Sequence, residues 1–326
     1  MTASINSPEY THNMTPTKII EVAAAVLIRA DGSFLLAQRP VGKPYPGYWE
    51  FPGGKIEAGE SPHQALCREL HEELGITAPL ALPWLTRIFR YPTATVRLHV
   101  FRVFAWAGEP QGLEGQQLSW QHLAQLSVTP VLPGNAPLLR ALSLPTRYAI
   151  SNAAELGNEE FLRRLDIALQ NGLRLLQVRE PHLSAPERLG FARQVVTLAH
   201  RYGARVMVNG DAELAMHTGA DGVHYSGKQL QDCSTRPAVE WCAASCHSTA
   251  ELKHASELGF DFAVLSPVLP TLSHPGAAHL GWERFAEMIT GTALPVYALG
   301  GLQPDDLAVA QQHGAHGIAL LRQAWI

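Results

Sequence analysis

A chain of 326 residues, 46% hydrophobic and 17% charged, holds enough material for two domains of ordinary size, each with its own core. A formal charge of −4 excludes the basic footprint of a general nucleic-acid binder, so no direct nucleic-acid partner is expected. Four cysteines, Cys67, Cys233, Cys242 and Cys246, form no CxxC pair, which excludes a disulfide framework and fits a reducing cytoplasm.

Residues 1–18 are polar, lack the apolar centre of a signal peptide, and read as a flexible leader, with translation starting at Met1 or Met14. No run reaches the eighteen apolar residues of a membrane span, so no membrane partner is expected. Residues 20–29 form an apolar run of strand length. With the turn Asp31-Gly32 and the strand Ser33–Gln38 they predict a hairpin. The stretch Pro40–Pro52, rich in proline and aromatic residues, reads as a pocket-shaping loop. It runs into Gly53-Gly54, whose freedom lets a backbone carbonyl approach a metal.

From Gly54 to Ile76 the chain carries five glutamates, Glu57, Glu60, Glu69, Glu72 and Glu73, around Arg68. Ala65, Leu66, Leu70 and Leu74 recur at helical spacing and predict a helix over 61–74 with one buried stripe. Glu69, Glu72 and Glu73 stand at i, i+3 and i+4, where like charges repel by about 0.2–0.5 kcal/mol per pair, so a cation is expected among them. Oxygen ligands suit Mg²⁺, or Mn²⁺, better than zinc. A polyanionic substrate would bring the same need for cations, which makes metal-assisted phosphoanhydride hydrolysis the natural reaction class. The plainer reading is a solvated acidic helix face, and the register argues against it. Gly54, Glu60, Arg68-Glu69-Leu70, Glu72-Glu73 and Gly75-Ile76 fill every specified position of the pattern GX5EX7REUXEEXGU, U being a bulky aliphatic. The stretch resembles the Nudix box.

Beyond it, Leu85–Tyr91 and Thr95–Trp106 read as strands separated by Pro92-Thr93-Ala94. A polar loop, Gly108–Gln117, follows, and Pro137 to Leu142 closes the half as a short helix. The expected fold is an α+β Nudix sandwich over 19–143, a mixed sheet with the box helix on one side and the terminal helix on the other.

Within the Nudix family this half resembles the MutT-type 8-oxo-dGTP diphosphatases. The likeness rests on Glu50–Glu57, on Gly108-Glu109-Pro110 with Glu114-Gly115-Gln116, and on Pro133-Gly134-Asn135-Ala136-Pro137. It implies a Mg²⁺-dependent diphosphatase acting on a small nucleotide. Glu69, Glu72, Glu73, Glu114 and the Gly54 carbonyl would hold metal, and Arg68 would orient carboxylates. Arg39 and Tyr91 would line the nucleotide site, and Asn135 would hydrogen-bond the oxidised guanine. Read alone, Asn135 is a turn or cap residue. An arginine expected soon after Tyr91-Pro92 is replaced by Thr93 and Ala94.

Residues 144–147 read as a linker, and the periodicity then changes. Eight short apolar strands, Tyr148–Ser151, Arg174–Val178, Arg205–Val208, Gly222–His224, Trp241–Ser245, Phe262–Leu265, Pro295–Ala298 and Gly317–Leu320, alternate with helices. The alternation predicts a (β/α)₈ TIM barrel over 148–326, with Gly300-Gly301 where such barrels bind phosphate.

This half resembles thiamine phosphate synthases and their TenI-type relatives, through Gln177-Val178-Arg179-Glu180, Val208-Asn209, Gly219–His224, Ser245-Cys246-His247, Ser266–Thr271 and Ala298–Leu302. The family's metal-binding aspartates are replaced by Gly210, with Asp211 one place late, and by Gln229. Its lysines are replaced by Pro181 and His274, and a phosphate-holding serine by Arg322. These departures imply a barrel degenerate for synthase chemistry. It keeps Gln177, Arg179, Asn209, Ser245, His247, Thr271, His274, Gly300, Gly301 and Arg322 as a ligand pocket for a phosphate-bearing molecule. His247 is either a proton-transfer group, as in TenI-like tautomerases, or a packed or surface residue. Three roles stay open for this half: inert partner of the hydrolase, thiamine phosphate synthase in a bifunctional enzyme, and sensor of a phosphorylated metabolite. The oligomeric state is not legible.

Overall fold

The computed structural model describes residues 19–92, 94–271, 276 and 278–326. The leader with both candidate start sites, Thr93 and His274 lie outside the described residues.

The first half contains β1 (Ile19–Leu27), β2 (Phe34–Gln38), β3 (Trp49–Glu50), β4 (Gly53–Lys55), α1 (Pro62–Leu74), β5 (Ala81–Tyr91), β6 (Ala94–Val103), β7 (Leu118–Gln121) and α2 (Ala136–Leu142). They form a four-stranded sheet in the order β4-β1-β6-β5 and a three-stranded sheet in the order β3-β2-β7. The expected hairpin of the first two strands is corrected. Gly32 turns the chain with φ 81° and Ile28 bridges Phe34 once, after which the strands part. Both edges of β1 are taken, antiparallel by β4 and parallel by β6, so β2 pairs with β3 and β7 instead.

Side chains of β1 alternate between two cores, as the strand period of two requires. Ala23, Ala25 and Leu27 pack against Ala65, Leu66, Leu70 and Leu74 of α1. Ala24 and Val26 face the other way, toward Leu138 and Ala141 of α2 with Trp84 and Leu85. Ser61 starts α1 through a capping box with Gln64, and Gly75, at φ 68°, ends it. Each fully buried leucine on the inner face is worth about 1.5–3 kcal/mol.

The second half is a closed parallel barrel of β8 (Arg147–Ile150), β9 (Leu175–Val178), β10 (Arg205–Asn209), β11 (Gly222–Tyr225), β12 (Trp241–Cys246), β13 (Phe262–Leu265), β14 (Val296–Leu299) and β15 (Gly317–Leu320). Outside it lie α3 (Ala153–Leu156), α4 (Asn158–Gln170), α5 (Ala185–His200), α6 (Ala212–Thr218), α7 (Gly227–Gln231), α8 (Thr249–Glu257), α9 (Gly281–Ile289) and α10 (Leu307–Gln312). Rings of Tyr148, Trp241, Phe262 and Tyr297 fill one end of its interior.

The sandwich docks on the face where barrel strands begin. The Thr86 amide donates to Thr292 O at 2.8 Å, just before β14, and so covers part of the open edge of β5. Arg102 is fully buried and donates to the carbonyls of Ala315, at 2.5 Å, and His316, at 2.9 Å. Trp84 Nε1 lies 3.2 Å from His316 Nδ1. Arg140 pairs with Asp261 at 2.7 Å and lies over the Trp241 ring. The expected linker is part of this packing: Leu144 is buried, its carbonyl bonds His316 Nε2 at 2.9 Å, and β8 begins at Arg147. The opposite face, where TIM barrels carry their sites, therefore opens away from the sandwich. No helix among the described residues is long and apolar enough to cross a membrane.

Candidate active site

Helix α1 sets the acidic end of the site. Because Leu70 and Leu74 point into the core, Glu69 and Glu73 are carried to the rim of the sheet, where their side chains are 15% and 12% exposed, while Glu72 stays 55% exposed. Arg68 gathers the rest. It grips Glu60 with two bonds of 2.8 and 2.9 Å, and reaches Glu69 at 2.9 Å, Glu72 at 3.1 Å and the Lys55 carbonyl at 3.0 Å. Its guanidinium holds the Glu60 carboxyl down to about 2. This is the geometry of an orienting residue.

Glu114 arrives from the loop after β6. Gln116 fixes that loop, accepting from the Glu114 amide at 2.8 Å and donating to the Glu73 carbonyl at 3.0 Å. Lys43 then bridges Glu73 Oε1, at 3.1 Å, and Glu114 Oε2, at 2.8 Å. Burial pushes the Glu73 carboxyl up; Lys43 opposes the shift, and Glu69 and Glu114 add to it.

Among the described residues no three of these side chains form a ready cation cage. Arg68 draws Glu60, Glu69 and Glu72 one way, and Lys43 draws Glu73 and Glu114 another. The donor chemistry nevertheless fits a hard divalent ion, since these groups offer carboxylate oxygens and no His or Cys. Gly54 fits it too. The Glu69 carboxylate lies so close that a β-carbon at residue 54 would meet it at 2.1–2.3 Å, so only glycine leaves room for that group. Of the groups expected to hold metal, Gly54 and Glu69 thus lie against each other, and Glu73 and Glu114 share Lys43.

A cavity of about 580 Å³ is lined by the carboxylates Glu69 and Glu73, by apolar residues that include Val22, Val96 and Leu98, and by the rings of Tyr45, Phe89 and Tyr91. Arg39 lines it but is engaged, by Glu50 at 2.5 Å and the Pro44 carbonyl at 2.6 Å. Asn135 also lines it. It occupies the cap position of α2 yet makes no side-chain cap bond, and its buried Nδ2 has no hydrogen-bond partner. The Tyr91 ring presses on the neighbouring Gly134, whose added β-carbon would lie 2.4 Å from the hydroxyl. Sequence reasoning missed Lys43, Tyr45 and Phe89 as site residues. Only the density of aromatic residues in Pro40–Pro52 signalled a pocket there.

At the barrel mouth the retained residues are largely bonded to the protein. Gln229 donates to the Gly210 carbonyl at 2.7 Å, and its amide fills the space beside Gly210. Asp211 caps α6 by accepting from Leu214 N at 2.8 Å, so it does not stand in for the aspartate expected one place earlier. Arg322 pairs with Glu155. Asn209 donates to the His224 carbonyl at 3.2 Å, and Ser245 Oγ lies 2.9 Å from His224 Nε2. His247 Nδ1 lies 2.8 Å from Ser266 O at the exposed rim. Gln177 is buried with a partnerless Nε2, and the Arg179 amide bonds Ser151. Gly300 and Gly301, at φ 109° and 70°, press on Pro267 and Pro270, beside Thr271.

Family models match both halves: a NUDIX domain over residues 19–142 and a thiamine monophosphate synthase over 147–324. The first half is 42% identical over 125 residues to a Haemophilus influenzae protein named 8-oxo-dGTP diphosphatase, covering 38% of this chain and 92% of that one. It is also 42% identical over 124 residues to the CTP pyrophosphohydrolase of Escherichia coli, covering 38% and 91%. The second half is 35% identical over 185 residues to a putative thiamine-phosphate synthase 2 of Aquifex aeolicus, covering 55% and 96%. The chain belongs to the Nudix family through its first half and to the thiamine monophosphate synthase family through its second. Its Nudix half is a nucleotide pyrophosphohydrolase, a class that generally uses a divalent metal.

Proposed function

We propose that the protein is a Mg²⁺-dependent diphosphatase, with Mn²⁺ as the alternative ion, that converts 8-oxo-dGTP to 8-oxo-dGMP and pyrophosphate in the cytoplasmic nucleotide pool. The observation that carries this reading is Asn135. Its buried Nδ2 has no partner, it lines the same cavity as Glu69, Glu73 and Tyr91, and a carboxamide offers a donor beside an acceptor for a purine edge. Phe89, Tyr91 and Tyr45 supply ring faces for a base. Held by Glu69, Glu72, Glu73, Glu114 and the Gly54 carbonyl, a divalent ion would offset the charge of the polyphosphate and acidify an attacking water. The chain's own part is to orient and to exclude solvent: Arg68 fixes Glu60 and Glu69, Gln116 delivers Glu114, and the apolar lining keeps bulk water from the sugar and base. Water adds to the β-phosphorus, the bond to the α-phosphate oxygen breaks, and the monophosphate and pyrophosphate leave.

The test is pyrophosphate release from 8-oxo-dGTP, dGTP and CTP, with and without Mg²⁺. Preference for 8-oxo-dGTP by tenfold or more in kcat/KM supports the substrate, while fastest turnover of CTP replaces it.

For the barrel we propose that synthase chemistry is lost. Support comes from Gln229, whose amide is spent on Gly210 and Ser226, and from Asp211, spent on a helix cap, which leaves no carboxylate at either expected metal position. Rescue of a thiamine auxotroph by the full chain would overturn this and make the enzyme bifunctional. Stabilisation by a phosphorylated thiamine precursor without rescue would point to the sensor role.

A further inference from the structure

The segment from Pro40 to Gly47 carries a cation, Lys43, onto two carboxylates of the site, Glu73 and Glu114, and is anchored by backbone and ring contacts of its own. Gly47 N donates to Arg39 O at 2.9 Å, and Arg39 Nε holds Pro44 O at 2.6 Å. The Tyr45 ring lies 5.7 Å from that of Tyr91 and 5.5 Å from that of Tyr48. Among the described residues Tyr45, at φ 59°, is the only non-glycine with positive φ, a conformation that persists only where the surroundings impose it. The Tyr45 carbonyl also accepts from Tyr48 N at 3.3 Å, so the segment is a turn held at Tyr45, with Lys43 two residues before it.

Lys43 differs from the site's arginines in how it is held. Arg68 is locked by three carboxylates and a carbonyl, and Arg39 by Glu50 and Pro44, whereas the Lys43 side chain is 43% exposed and meets Glu73 and Glu114 from the solvent side. A compact ammonium on a flexible stem exchanges partners at small cost when it is this exposed. Glu73 and Glu114 are also the two carboxylates from which a divalent ion would have to displace it. Lys43 lines the same cavity as Glu69, Glu73 and Tyr45, so a polyphosphate held there would share that space with its ammonium.

We propose that Lys43 is an exchanging cation: it neutralises Glu73 and Glu114, yields them to the divalent ion, and then contacts the polyphosphate of the substrate. This rests on the metal-dependent hydrolase reading. Lys43 acts twice, as a competitor of the metal and as a binding residue for the triphosphate, and it favours the triphosphate over the monophosphate product.

The experiment compares the wild type with Lys43→Met and Lys43→Arg. Mn²⁺ binding is measured without nucleotide, from the resonance of free Mn²⁺ or by calorimetry, on the full chain. Lys43→Met should bind Mn²⁺ about 3- to 10-fold tighter, the scale of losing one half-exposed lysine as a competing cation. At saturating metal it should raise KM for the triphosphate about 10-fold, the scale of one hydrogen bond to a charged group, with kcat and inhibition by the monophosphate changed far less. Lys43→Arg should restore most of the KM. Unchanged or weaker Mn²⁺ binding in Lys43→Met, or an unchanged KM, overturns the exchange. If the wild type itself neither binds Mn²⁺ nor releases pyrophosphate from any nucleotide, the hydrolase reading fails and takes this inference with it.

Discussion

The carboxylate of Glu69 occupies the place that a side chain at residue 54 would need, with its carboxyl carbon 2.1 Å from where a β-carbon on Gly54 would lie. Glycine at this position is thus a requirement of the site, and its neighbour Gly53 is a requirement of the fold. A β-carbon on Gly53 would meet the Ala23 carbonyl at 2.1 Å, and its φ is 142°.

The two glycines should separate cleanly on substitution. In Gly54→Ala the end of a flexible side chain gives way, so stability should hardly change while Glu69 is displaced and kcat/KM falls about 10- to 100-fold. In Gly53→Ala the obstruction is backbone, and a loss on the order of 1–3 kcal/mol is expected. Urea unfolding and steady-state kinetics on both variants check the pair; equal stability losses would refute the assignment.

Asn135→Ala should cost activity without costing stability. Its Nδ2 has no partner to lose on folding, so the midpoint of unfolding should stay near that of the wild type. If the amide reads the base, kcat/KM for the preferred purine should drop about 10-fold or more, while a pyrimidine triphosphate is affected much less. A uniform drop across nucleotides would refute base reading by Asn135.

The buried Arg102 ties the two halves. Arg102→Ala would remove the donors to the carbonyls of Ala315 and His316 and open a void, for an expected loss of about 2–5 kcal/mol. The partnerless Nε of the wild type sets against this, so Arg102→Met should lose less. Calorimetry of the full chain, read for one transition or two, measures it.

Stability should fall with acid through two buried histidines. Burial, with Arg102 nearby, holds His316 down to about 3, and burial, with Arg179 nearby, holds His224 down to about 3. Both folded values lie below the ordinary 6.5. Their neutral forms therefore give full stability above that value, and stability is lost as pH falls from there toward about 3. Each contributes a slope approaching 1.4 kcal/mol per pH unit, discounted for local opening. Denaturant midpoints between pH 7.5 and 4.5 should show the fall, and His316→Gln should flatten it by about half.

How much of this was legible before folding depends on the range over which each feature is encoded. The stripe Ala65, Leu66, Leu70, Leu74 and the offsets of Glu69, Glu72 and Glu73 are set within one helix, where 3.6-residue geometry turns spacing directly into direction. The barrel strands were legible for the same reason, since each is a short apolar run punctuated by its own turn. The match of Gly54 to Ile76 to a fixed pattern carried the reaction class.

Tertiary structure alone decided the rest. Nothing local says that β1 has no free edge for β2, because its partners β4 and β6 come from elsewhere in the chain. Lys43 and Glu114 meet across 71 positions, and Gln116 joins its loop to α1 across 43. Arg102 looks like an ordinary strand cation until the barrel closes over it at Ala315 and His316. Sequence by itself determined which residues carry charge along one helix face and where strands and helices alternate, because those depend on neighbours. Which cation sits between Glu73 and Glu114, which amide faces the cavity without a partner, and which end of the barrel receives the sandwich depend on loops closing over long separations. No local period encodes them.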